Sequence, residues 1–195
     1  MRLVLVFTIV YMVVLFGYGL AVASPLTNLY PGINLLVFAV FAVIHRWARF
    51  PLPVIWGIAL VGLGNMIGGV ILVDGQPLYV APFIGPVPYD KFFHGAASFV
   101  MFFVAWAAMT RFAGAAPHFG GLVLFTFLAT MGGGAVVEIA ELIGSAAGGG
   151  RFNVGDYGNN ALDLVSNAAG AAVGVIVLLV ARRSLAPAAI EGEDG

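Results

Sequence analysis

The sequence predicts an all-α, polytopic transmembrane bundle of about six spans. Three observations predict it: a composition suited to lipid, six apolar runs of spanning length, and a one-sided distribution of basic residues. Of 195 residues, 62% are hydrophobic and 9% charged. Soluble domains carry about 25% charge, so most of this surface is made to face lipid. The net charge is −1, which gives nucleic acid no basic surface to bind. The chain has no cysteine, which excludes disulfides, thiolate catalysis and sulfur-ligated metals.

A span needs about 20 apolar residues. The first run covers about Leu3 to Ala23. The second, the shortest, covers about Leu29 to His45 and opens on a Pro31-Gly32 turn signal. The third covers about Leu52 to Val73, the fourth about Phe92 to Thr110, the fifth about Phe119 to Ser145 and the sixth about Ala161 to Ala181. Residues 1–186 read as one six-helix domain, and 187–195 as a short acidic disordered tail holding Glu191, Glu193 and Asp194. With both termini inside, the cytoplasmic segments carry Arg2, Arg46, Arg49, Arg111, Arg182 and Arg183, and the outer segments only Lys91 and Arg151. That bias is the positive-inside pattern, and it implies a multi-pass protein of the cell membrane. Gly64 and Gly68, and Ser166, Gly170 and Gly174, have the small-residue spacing that lets helices approach closely in lipid. No sequence signal sets an oligomeric state.

An ionisable group inside a span is costly and marks a functional candidate. On the fourth span Asp90 and His94 lie one helical turn apart, with Lys91 between them and Ser98 continuing their face. The fifth carries Glu138 and Glu141, in line with Gly134 and Ser145. Glu138 lies about 13 Å from the helix end, at 1.5 Å per residue. The sixth opens with Asn160, Asp163 and Asn167, a stripe that runs on to Gly170 and Gly174. The glycine-rich loop before it adds Arg151, Asp156 and Asn159. In the predicted orientation these groups gather in the outer half, under a proline-rich outer loop from Asp74 to Pro88, with Asn65 at similar depth.

His94, Glu138, Glu141 and Asp163 are therefore the candidate catalytic or metal-ligating residues, and Asp90, Lys91, Asp156, Asn159, Asn160 and Asn167 their polar surround. Paired carboxylates separate into an acid and a base, and a histidine beside them can shuttle a proton. The same oxygens with one imidazole suit a divalent cation: magnesium, calcium or manganese, with zinc allowed by the histidine. The partners implied are membrane lipids and a lipid or lipid-linked headgroup. Two other functions are open, a structural or lipid-binding module that fits the pattern nearly as well and a proton-coupled transporter that fits it less. In a structural or lipid-binding module the polar groups only fix helix packing, for example Glu138 and Glu141 paired with Lys91 or Arg151. A proton-coupled transporter would need inverted repeats or broken spans, which the sequence lacks. Asp156 and Asp163 also suit helix starts. Asn167 suits an interhelical hydrogen bond. His45 and His118 read as solvated residues beside cytoplasmic loops. Tyr30, Trp47, Tyr79 and Tyr89 read as an interfacial aromatic belt.

Three blocks resemble the YjdF-like inner-membrane family, whose molecular function is unassigned. They are Tyr89-Asp90-Lys91-Phe92-Phe93-His94, Glu138-Ile139-Ala140-Glu141, and Gly155-Asp156 followed by Asn159 and Asp163-Leu164. Asn159 stands where that family tends to have Asp, and Leu164 where it has Met. Asp90-Lys91-x-x-His94 and Asp163-x-x-x-Asn167-x-x-Gly170 are more distantly similar to the VanZ-like proteins, with Glu141 in place of Gln. The resemblance implies a membrane family and no particular reaction.

Ala21-Val22-Ala23 before Ser24 has the small-residue pattern of a signal-peptidase site, but the apolar run ahead of it is about twice a signal core in length. The first span is thus expected to stay in the mature protein. N-terminal sequencing of purified protein checks this, because cleavage would give a chain starting at Ser24.

Overall fold

The computed structural model describes residues 1–113, 118–147 and 157–185, without the side chains of 144–147 and 183–185. The expected loop positions Arg151 and Asp156 and the acidic tail lie outside the described residues. Six helices follow one another: α1 (Arg2–Ala21), α2 (Leu29–Ala48), α3 (Leu52–Val70), α4 (Tyr89–Phe112), α5 (Phe119–Ala147) and α6 (Tyr157–Leu185). All six are long and apolar enough to cross a membrane.

The helix boundaries follow from local chemistry. Arg49 ends α2 in the left-handed conformation (φ 49°), its N–H bonded to the His45 carbonyl. Pro51 and Pro88 then sit extended immediately before α3 and α4, where a missing N–H leaves no gap in the helix ladder. Because α4 starts at Tyr89, Asp90 falls in its first turn, where the helix dipole favours a negative charge. His45 and His118 are not merely solvated. The His45 Nδ1 accepts the Phe50 N–H of the link to α3 at 3.0 Å, and the His118 Nδ1 accepts the Gly121 N–H at 3.3 Å, a donor that the start of α5 leaves free.

The link between α3 and α4 is more ordered than an outer loop. It forms two small antiparallel hairpins, β1 (Leu72–Val73) with β2 (Gln76–Pro77) and β3 (Pro82–Ile84) with β4 (Val87–Pro88), joined by a single 3-10 turn at Leu78–Val80. Asp74 (φ 52°) and Gly75 (φ 77°) turn the first hairpin, and Gly85 (φ 58°) turns the second. These positive angles belong to the tight turns that match strand twist.

The outer surface of the helices is apolar; Leu3, Leu36, Val136 and Val165 are exposed. Since lipid tails are as apolar as leucine, helix association must come from close packing and polar contacts. Helix α4 is central: it packs against α2, α3, α5 and α6. At one end an apolar cluster of Ala48, Phe50, Val54, Ile58 and Val104 fills the space between α2, α3 and α4. Nearby, Arg182 of α6 stacks 3.8 Å above the ring of Phe119. The polar residues lie toward the other end, on the first turns of α4 and α6 and the last turns of α5.

The tightest seam joins α4 to α6. A Cβ on Gly170 would fall on the Gly95 carbonyl oxygen, and a Cβ on Gly174 would come within 2.7 Å of Phe102. Gly170→Val is therefore expected to destabilise the protein by about 1–3 kcal/mol or more, the usual range for overpacking. Gly17→Ala, with open space around it, is expected to have little effect. Thermal unfolding of both variants in detergent checks the difference.

Candidate functional site

Three helices bring the predicted residues together. Lys91, in the first turn of α4, points across the seam to α6. Its Nζ donates to Asp163 Oδ1 at 2.6 Å and Oδ2 at 2.7 Å, to Asn159 Oδ1 at 2.7 Å, and to Asp90 Oδ2 at 2.9 Å. The Asn159 amide donates to Asp163 Oδ2 at 3.0 Å, closing the ring. Lys91 and Asp163 are both buried, so each charge exists there because the other does.

Lys91 also orients the two acids. Asp90 gives Oδ2 to the ammonium and turns Oδ1 toward His94, whose Nε2 lies 3.5 Å away. Asp163 Oδ1 lies 3.7 Å from the same nitrogen. On the other edge of the ring, Nδ1 faces Glu138 Oε1 of α5 at 3.5 Å. These spacings exceed ordinary N–H···O hydrogen bonds of 2.7–3.2 Å, and Glu138 Oε1 is buried without a hydrogen-bond partner among the described residues. One turn deeper, the Ser98 hydroxyl donates to Asn167 Oδ1 at 2.7 Å, tying α4 to α6 again. The Asn167 amide nitrogen, which a Cβ on Gly134 would meet at 2.6 Å, is buried, and neither it nor Asn160 Oδ1 has a hydrogen-bond partner among the described residues.

Of the four leading candidates, His94, Glu138 and Asp163 thus meet. Glu141 is exposed and stands outside this group, because three helical residues from Glu138 amount to 300° of rotation rather than a full turn. Asp90, expected in the surround, stands in the centre: one ligand atom each from Asp90, His94 and Asp163 lies within 4.8 Å of the others. The i,i+4 spacing of Asp90 and His94 was the signal for it.

A second polar network adjoins the first on the α2–α3 side. The Asn34 amide donates to the Gly62 carbonyl, Asn65 to Asn34 Oδ1, and the Tyr79 hydroxyl to Asn65 Oδ1, each within 2.8 Å. Asn65 therefore belongs here rather than with His94. Tyr30, Tyr79 and Tyr89 are not a lipid-facing belt. Tyr30 stacks on Tyr79, and the buried Tyr89 donates its hydroxyl to the Gly64 carbonyl at 2.9 Å. Burial, helped by neighbouring phenols and by the carboxylates of Asp90 and Glu141, pushes the Tyr79 phenol well above its ordinary value. It stays a neutral donor to Asn65. Trp47, in contrast, is exposed as a belt residue should be.

Six apolar helices around a buried cluster of charged side chains define a polytopic α-helical membrane protein. Residues 3–184 match the family described as "Predicted membrane protein (DUF2238)", and the chain belongs to that family. No curated protein and no solved structure matches it.

Breaking the Lys91–Asp163 pair from one side leaves a buried charge alone, a loss of about 3–5 kcal/mol in comparable cases. Lys91→Met is expected to lose stability on that scale. The double variant Lys91→Met/Asp163→Leu is expected to regain a large part of it. Chemical unfolding in detergent across this mutant cycle measures the coupling.

Proposed function

We propose that this protein is a cell-membrane protein whose outward-facing polar cluster binds a divalent cation and, through it, the phosphate of a lipid headgroup. Asp90 Oδ1, His94 Nε2 and Asp163 Oδ1 are the ligand atoms, and the remaining coordination position takes the phosphate. The observation that carries this reading is the spacing of those atoms. Ligands about 2.1 Å from a tetrahedral ion stand about 3.4 Å from one another. The two nitrogen–oxygen separations here are 3.5 and 3.7 Å, too wide for good hydrogen bonds and suited to a shared ion.

Charge supports the same reading. Asp90 and Asp163 both contact the Lys91 ammonium and Glu138 faces the His94 ring, so among the described residues three carboxylates gather around one lysine and one imidazole. In a membrane interior that surplus of negative charge is unfavourable, and a divalent cation offsets it. Lys91 does not block the site, since a carboxylate oxygen offers two lone-pair directions. Glu138, across the ring from the ligand nitrogen, is placed to orient His94 rather than to bind the ion, as carboxylates beside metal-bound histidines do. Depth supports a headgroup. Asp90 and His94 are the second and sixth residues of α4, about 2–8 Å along its axis at 1.5 Å per residue. The outward orientation rests on the arginine distribution.

A structural role is the second reading, favoured by the number of hydrogen bonds Lys91 already makes. Metal analysis separates the two. Purified protein is expected to bind one equivalent of Mn²⁺ or Zn²⁺. Asp90→Asn, His94→Ala and Asp163→Asn are expected to abolish binding, and Glu138→Gln to weaken it by about 10–100-fold. With Mn²⁺ bound in lipid nanodiscs, phosphorus relaxation of the lipid should rise in the wild type and not in Asp90→Asn. Wild-type protein that binds no ion, with variants that change only thermal stability, would make the cluster a packing device.

A further inference from the structure

The segment from Pro82 to Pro88 reads Pro-Phe-Ile-Gly-Pro-Val-Pro, seven residues without a polar side chain. It forms the second hairpin, and its apolar side chains are not packed away: Phe83 is 49% exposed, Ile84 57% and Val87 42%. A hairpin standing in water would not hold three large apolar groups outward at its turn. The first hairpin shows the contrast, with Asp74, Gly75 and Gln76 at its tip.

We infer that the second hairpin is immersed in the lipid leaflet at the site end of the bundle, at the boundary between headgroups and acyl chains. Its apolar surface is continuous with the span surface of α4. The Phe83 ring lies 5.0 Å from Phe92 and 5.1 Å from Tyr89, and Phe92 is itself an exposed side chain on the second turn of α4. The backbone is also fitted to that depth. Buried amide N–H groups without partners are heavily penalised in lipid, and Pro82, Pro86 and Pro88 carry none. The Ile84–Val87 pairing and the Tyr89 N–H to Ala81 carbonyl bond use further groups. What remains suits the interfacial layer, where amphipathic elements sit about 5–10 Å deep. Immersion would hold Tyr89, and with it the adjoining Asp90, at headgroup level. The inference rests on the six spans and not on the cation.

The absence of native cysteine makes the test direct. Ile84→Cys and Val87→Cys are spin-labelled in reconstituted vesicles, with Gln76→Cys as the reference on the first hairpin. The labels at 84 and 87 are expected to show an oxygen-to-nickel-chelate accessibility ratio several-fold above that at 76. Chelate accessibility at 84 and 87 equal to that at 76 would place the hairpin in water and overturn the inference. Exclusion of both reagents would overturn it too, by showing that protein, such as a second copy, covers the surface. Val87→Cys reports on the same surface if Ile84→Cys does not fold.

Discussion

The rest of the site depends on one buried ion pair, Lys91 with Asp163. It crosses from the first turn of α4 to the second turn of α6, and the Gly95–Gly170 approach lies one turn further along α4 and two turns further along α6. The two features need each other. Without small residues at the seam the helix axes would stand too far apart for the ammonium to reach both carboxylate oxygens. Without the pair, two buried charges would push the helix ends toward water. The geometry around His94 follows, since Lys91 sets which oxygen of Asp90 faces the imidazole.

The cluster is asymmetric in a way that matters chemically. Lys91 has more acceptors than it can neutralise, whereas Glu138 Oε1, Asn160 Oδ1 and Asn167 Nδ2 make no hydrogen bond among the described residues. A network built only for packing would be expected to satisfy its members, because a buried unsatisfied polar group is unfavourable by about 1–3 kcal/mol. Among the described residues the Lys91 ammonium is fully engaged, whereas Glu138 Oε1, which faces His94, accepts no hydrogen bond.

The six spans were legible because an apolar run of sufficient length leaves a chain few alternatives in lipid. The Gly170–Gly174 spacing announced a close contact. Its partner Gly95 did not, since α4 carries no matching repeat and the match is a matter of tertiary register. Asp90 and His94 were legible as a pair because an i,i+4 relation is local. The Lys91–Asp163 bond was not, because it joins residues 72 apart and several carboxylates compete for Lys91 and Arg151. Glu138 and Glu141 look equivalent in sequence, and only the rotation of α5 about its axis separates the buried acid from the exposed one. The hairpins between α3 and α4 were hidden by their prolines, although Asp74-Gly75 and Gly85-Pro86 are sound turn signals. The tyrosines were misread because an aromatic near a span end looks the same whether it meets lipid or an asparagine on the next helix.

The separation of Lys91 from Asp163 also bears on how the chain is made. Helix α4 is synthesised well before α6, so it enters the bilayer while its main counter-charge has not yet left the ribosome. Asp90 is the neighbour available in that interval, and it touches Lys91 directly at 2.9 Å. Both lie in the first turn, short of the hydrocarbon centre, where a long basic side chain can keep its head among the headgroups. Placing these charges at the start of α4 rather than its middle lets the helix insert as an ordinary span. In the folded bundle α6 supplies the Asn159 and Asp163 oxygens around Lys91, so the last helix completes the polar centre.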